Sequence, residues 1–260
     1  IASSLVLAAV AIVSVLVGGW LFTVVILVAI VIMAGEWVRL IPEATPRARR
    51  LCWLAIVAVC ASAVLAMELG RADLALGALL LGPPLAAAAA ALLRGVPPDR
   101  AAGGIAYVGV PTLAIVWLRN DLAGGIDHVL WFMAVIWSTD ICAYFAGRTI
   151  GGRRLAPTIS PGKTWAGLIG GVCGAALVGG AAAAWGGGGV VLAMGLAIVL
   201  ALVAQGGDLF ESFLKRRIGL KDSGHLIPGH GGLLDRIDGL VFAAPVCALA
   251  LWLHALVGGG

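Results

Sequence analysis

"GGVVLAMGLAIVLALVAQGG", residues 188–207, holds no charged side chain, and the chain turns polar only at Asp208. About twenty helical residues cover the roughly 30 Å hydrocarbon core of a bilayer. Backbone groups cannot stay unpaired in lipid, so a run of this kind must be a helix. It is unbroken, without the alternation of a membrane-barrel strand. Eight further stretches read the same way: 2–18, 20–38, 51–68, 73–93, 102–118, 127–147, 164–184 and 239–257. Only Gly18-Gly19 separates the first two. The expected fold is therefore all-α, a polytopic integral membrane protein with about nine transmembrane helices and no soluble domain. Composition agrees. The chain is 62% hydrophobic and 12% charged, half of the about 25% charge of soluble domains.

The first span has no basic region before it and no small-residue cleavage site after it, and is read as a retained helix rather than a signal peptide. The five cysteines, Cys52, Cys60, Cys142, Cys173 and Cys247, all fall within spans and form no CxxC pair. They read as small buried hydrophobes. Every Lys and Arg except Arg71 and Arg119 follows an even-numbered span. The positive-inside rule puts that side in the cytoplasm, with both ends of the nine-span chain outside. The two longer connections, where function is expected to sit, would then face the cytoplasm. The net charge of +4 is mostly this topological signal, and no nucleic-acid partner is expected.

Most connections are short, but 148–163 and 208–238 are not. Residues 1–125 read as scaffold helices open to lipid or dimer contacts, and 126–260 as the catalytic region containing those two loops. The runs Ala86–Ala91, Ala181–Ala184 and Gly186–Gly189 suit close helix packing.

Three polar constellations stand out. In "AQGGDLFESFLKRRIGLKD", 204–222, Asp208, Glu211, Ser212 and Lys215 share one face of a helix leaving the eighth span. A carboxylate at the membrane boundary is costly unless paired or bound to a cation. In "KDSGHLIPGHGGLLDRIDG", 221–239, Gly229, Gly231 and Gly232 permit unusual backbone and close approach to a ligand. "LLDRIDGL" reads as the start of the last helix, with Asp235 and Asp238 on one face. Two carboxylates so placed repel unless a cation lies between them, and hard oxygen donors suit Mg²⁺. Arg236 between them can neutralise a carboxylate or hold a phosphate. A solvated helix-capping loop accounts for the same residues, and both readings stay open on composition alone. In "WSTDICAYFAGRTIGGRR", 137–154, Asp140 lies within an apolar span, one turn before Tyr144 and two before Arg148. Ser160, Lys163 and Thr164 then precede the seventh span, phosphate-binding types at a helix N-terminus. His225 and His230 are the only histidines of the polar loop, and its oxygen-rich company argues against zinc.

The stretch "SFLKRRIGLKDSGHLIPGHGGLLDRID", 212–238, resembles the signature of the phosphatidate cytidylyltransferases, or CDP-diacylglycerol synthases. The match, through Ser212, Lys215, Arg216, Lys221, Asp222, Pro228, His230, Gly231, Gly232, Asp235, Arg236 and Asp238, has no gap. Two more pieces resemble the same family: Trp137-x-x-Asp140 with Tyr144, Gly147 and Arg148, and Ser160-Pro161-x-Lys163-Thr164-Trp165. The resemblance is strong over 137–240 and elsewhere rests on the hydrophobic pattern. Ala166 departs from the family, whose members commonly carry Glu there, and Gly162 stands where many carry a basic residue.

This resemblance implies conversion of CTP and phosphatidic acid to CDP-diacylglycerol and pyrophosphate. It implies Mg²⁺ with Asp208 and Asp235 as the best ligands and Asp238 close behind, and a monovalent ion such as K⁺ beside it. Lys215, Arg216, Lys221 and Arg236 become candidates for the triphosphate and lipid phosphate. Ser160, Lys163, Thr164, Ser212, Asp222, His230, Gly231, Gly232, Asp140, Tyr144 and Arg148 become candidate substrate-binding residues. Membrane lipid and a second copy of the chain, as a homodimer, are the implied partners. Two alternatives are weighed against it: a CTP-dependent lipid or polyprenol kinase of similar architecture, and a transporter. The transporter is disfavoured because the charges gather at one interface and not at midplane. The CDP-alcohol phosphotransferase pattern is not found, since Asp238-Gly239 continues as Leu-Val-Phe-Ala.

Overall fold

The computed structural model describes residues 2–120, 124–224 and 231–257. Among them the order is α1 (Ala2–Val17), α2 (Gly19–Arg39), α3 (Pro46–Glu68), α4 (Ala72–Leu93), α5 (Pro98–Asn120), α6 (Gly125–Thr149), β1 (Arg154–Ala156), β2 (Ser160–Thr164), α7 (Trp165–Trp185), α8 (Val190–Arg217) and α9 (Leu234–Leu256). Eight of these helices are long and apolar enough to cross a membrane. The exception is α1, at 16 residues, against the roughly 20 that a perpendicular crossing needs. The protein is a polytopic, all-α integral membrane protein. Each expected span has its helix, and several helices outrun their apolar stretch. Thr45, for example, caps α3 by accepting from Ala48 N at 3.2 Å, with Pro46 in the first turn.

The chain forms two compact units. The first comprises Ile1–Ile126 and Ile218–Ile237. Here Gly18 and Gly19 both take positive φ, 68° and 52°, which breaks α1 from α2 where two apolar runs abut. The Arg119 guanidinium fills the space beside Gly18 and donates to Val15 O at 2.7 Å. Arg71 pairs with Asp73 at 3.1 Å. Both basic residues on the sparsely charged side thus have local partners. The core gathers Phe22, Ile30, Met33, Ile56, Ile105 and Leu118. Trp37 donates to Arg100 O at 3.0 Å and stacks at 5.0 Å from Tyr107. Gly104 lets α5 approach: a Cβ there would lie 2.5 Å from Ile56 and 2.7 Å from Trp37. Exposed leucines of α4, such as Leu80, Leu85 and Leu92, present the apolar surface that lipid solvates.

The second unit comprises Asp127–Arg217 and Asp238–Gly260. Its α7 packs on α6 through a face of glycines. A Cβ on Gly167 or Gly171 would sit 2.9 Å from the carbonyl of Ala143 or Thr139, and Gly170 and Gly174 lie against Ala146 and Cys142. Higher on α7, Gly179 and Gly180 receive Ala197 and Met194 of α8. Cys173 is exposed and Cys142 half-buried, whereas Cys52, Cys60 and Cys247 are buried. The expectation of five buried cysteines fails at Cys173, because the glycine face of α7 takes the packing. Part of the 148–163 loop is an antiparallel hairpin of β1 and β2, with Arg154 opposite Thr164 and Ala156 opposite Ser160. The Arg154 guanidinium donates to Pro161 O. Pro161 and Gly162 hide this strand from a propensity reading.

Candidate active site

The second unit's polar cluster grows from α8, which runs ten residues past its apolar stretch to Arg217. One helix face carries Asp208, Glu211, Ser212 and Lys215, as their spacing requires. Ser212 Oγ donates to Asp208 Oδ1 at 3.3 Å. Lys215 Nζ lies 3.2 Å from Glu211 Oε1, both side chains nearly buried. The hairpin delivers Lys163 to the same face. Trp165 N donates to Arg153 O at 3.0 Å, and Thr164 caps α7 by accepting from Gly167 N at 3.0 Å. That fixes β2 so that Lys163 Nζ reaches Asp208 Oδ2 at 2.6 Å and Gln205 Oε1 at 2.9 Å.

Asp238 comes to this cluster by a helix crossing. A Cβ on Gly207 would stand 2.8 Å from Asp238 O and 2.9 Å from Phe242, and one on Gly239 would meet Ala204 at 3.2 Å. The backbones of α8 and α9 therefore approach at two glycines, each the chain neighbour of an aspartate, Asp208 or Asp238. Phe210 and Phe242 stack beside the crossing with centroids 5.2 Å apart. Asp238 lies within electrostatic reach of Asp208, Glu211 and Asp140, and Asp140 of Asp208 and Lys163. Four carboxyl groups thus share a cluster with Lys163 and Lys215. Among the described residues, no three His, Cys, Asp or Glu side chains close into a metal cage. Mg²⁺ needs no such cage, since one or two carboxylates, waters and substrate phosphates complete its shell. The oxygen-only donors Asp208 and Asp238 suit it. Arg148 Nη1 donates to Tyr144 Oη at 2.8 Å, both exposed. Ser160 is half-buried in the hairpin and Arg216 is exposed at the end of α8.

The first unit holds the other cluster, around the start of α9. The Asp235 carboxylate accepts from Gly232 N at 2.7 Å, Ser223 N at 2.9 Å and Ser223 Oγ at 3.0 Å. Gly231 takes φ +81°, and a Cβ there would lie 2.5 Å from Asp235 Oδ2. The buried Glu36 carboxylate, from α2, accepts from Leu233 N and Leu234 N at 2.8 Å and from Ser223 Oγ at 3.2 Å. Lys221, Asp222 and Arg236 are exposed. Pro228, Gly229, His225 and His230 lie outside the described residues.

Sequence reasoning misses Glu36 and Gln205. Glu36 is the one charged residue of the stretch 20–38, and Gln205 the one amide of 188–207. A lone polar group in an apolar run is the signal that marks each.

A family model described as "Cytidylyltransferase family" matches residues 1–254. Similar proteins include one named "Phosphatidate cytidylyltransferase" from Brucella suis biovar 1 (strain 1330), 48% identical over 152 residues, 57% of this chain and 55% of the relative. Another of the same name, from Rickettsia felis (strain ATCC VR-1525 / URRWXCal2), is 44% identical over 151 residues, 55% of this chain and 66% of the relative. The chain thus spans between about half and two thirds of the length of these curated relatives. The family match runs through both units and every helix that carries the clusters above, so the chain belongs to the cytidylyltransferase family.

Proposed function

We propose that this protein is a phosphatidate cytidylyltransferase, acting at the cytoplasmic face of the inner membrane. A phosphate oxygen of phosphatidic acid attacks the α-phosphorus of CTP. The new bond joins that oxygen to the α-phosphorus, the bond to the bridging oxygen of the β-phosphate breaks, and pyrophosphate leaves. The nucleophile is already anionic, so positioning and charge neutralisation do most of the work. The observation that carries this reading is the contact of Lys163 with Asp208. It joins the Ser160–Trp165 motif to the face of α8 that carries Asp208 and, one turn on, the start of the Ser212–Asp238 stretch, two pieces resembling one family that lie either side of α7.

In this reading Asp208 and Asp238 would hold Mg²⁺, which would neutralise phosphate charge, in place of the expected Asp235, whose Oδ2 already accepts three hydrogen bonds; K⁺ belongs to the same proposal. Asp235, one turn before Asp238, orders the turn that presents it. Lys163, beside Asp208, would supply positive charge to the triphosphate. Lys215, Arg216, Lys221 and Arg236 supply further positive charge for the phosphates, and Tyr144 and Arg148 for the lipid headgroup. A homodimer completes the proposal, with the small, partly exposed residues of the Ala86–Ala91 run of α4 suited to close packing. The test is incubation of the purified protein with α-labelled CTP and phosphatidate. Label in CDP-diacylglycerol is expected. Transfer of γ-label from CTP to a lipid alcohol, with none to phosphatidate from the α-position, would overturn it in favour of a lipid kinase.

A further inference from the structure

We propose that Glu36, on α2, is a positioning residue for cytidylyl transfer, acting through the first turn of α9; this rests on the reaction proposed above. Its side chain is 3% exposed in the core of the first unit, beside buried Met33, Ala34 and Trp37. Both carboxylate oxygens are used. One accepts from Leu233 N, the other from Leu234 N and Ser223 Oγ. The first N–H groups of a helix have no partner within it and usually receive one from a local Ser, Thr, Asp or Asn. The residue before α9 is Leu233, which has no such side chain. Glu36 fills that role from almost two hundred residues away, and its negative charge suits the positive end of the helix dipole.

Ser223 extends the arrangement. Its hydroxyl lies 3.2 Å from Glu36 and 3.0 Å from Asp235, and its single hydrogen serves one at a time. The glycines around it follow from the same contact. A Cβ on Gly224 would stand 2.8 Å from Glu36 Oε1, and one on Gly232 would overlap that oxygen. Much of the glycine content of this stretch therefore accommodates a carboxylate of the protein's own. The turn that bears Asp235 takes its place from α2.

Glu36→Gln tests this. An amide has one accepting oxygen and sets an NH₂ against one of the two backbone donors. Hydrogen exchange at Leu233 and Leu234 is expected to quicken about tenfold or more. The kcat for CDP-diacylglycerol formation is expected to fall by a similar factor, with KM for CTP changed less than about threefold. Glu36→Asp, which keeps the charge, should recover part of both. If Glu36→Gln does not fold, Ser223→Ala, which removes only the shared hydroxyl, should give a smaller change of the same kind. A wild-type rate, a slowed rate with unchanged exchange, or Glu36→Asp no better than Glu36→Gln would each overturn the role. A wild-type protein that makes no CDP-diacylglycerol would overturn the proposed function and the catalytic half of this inference, and exchange would then decide the cap alone.

Discussion

Asp208 meets a lysine and a serine and lies within electrostatic reach of a second aspartate, Asp238. Asp208→Asn keeps the shape and removes the charge, so formation of CDP-diacylglycerol should fall at least about a hundredfold while the protein still folds. Near-normal turnover would remove Asp208 from the metal site. Asp235→Asn should be as damaging for a different reason: Gly232 N, Ser223 N and Ser223 Oγ converge on Oδ2, so the amide loses the charge that holds three donors and sets its NH₂ or a weaker acceptor against them. Rates measured on the purified variant check this, and a wild-type value would refute it. The individual residues are legible in the sequence, because each is a charge where charge is costly. Their contacts are not. Lys163 and Asp208 are separated by two apolar helices, and no periodicity reports which side chains meet across them. Glu36 is marked only as a lone charge in an apolar run, and nothing in chain order names its partners at 223 and 233–234.

At the level of elements, helices announce themselves by apolar length, and crossings do not. Gly206 and Gly207 look alike in sequence, yet a Cβ on Gly206 meets nothing within 4 Å while one on Gly207 strikes Asp238 O and Phe242. Gly207→Val should therefore lower the melting temperature and separate Asp208 from Asp238, with loss of activity. Gly206→Ala should do neither, and gains about 0.5–1 kcal/mol from helix propensity. Thermal melts of the two variants in detergent check the contrast, and equal effects would refute the crossing. The hairpin escapes a sequence reading because Ser-Pro-Gly-Lys-Thr is poor strand material. It exists because it pairs with Arg154–Ala156 and feeds directly into the cap of α7.

For the whole molecule, the membrane architecture was fully legible, since lipid leaves the backbone few options. The membership of residues 218–237 in the first unit was not, because chain order gives no hint that they belong with α2. Two predictions belong here. Activity should vanish with EDTA and return with Mg²⁺, measured as CDP-diacylglycerol formed; indifference to chelation would exclude metal-assisted transfer. In a cysteine-free background, Leu69→Cys should react with an impermeant thiol reagent on intact cells and Arg153→Cys only after permeabilisation. The reverse pattern would invert the assigned orientation. The bond from Glu36 to Leu234 spans 198 positions in the chain. At about 5–20 residues per second of synthesis, the carboxylate of α2 waits roughly ten to forty seconds for its donors. Until then the Glu36 side chain lacks the donors that hold it in the finished fold. The helix that supplies them is made about two hundred residues later, so termination before residue 233 leaves α2 without the partner that α9 provides.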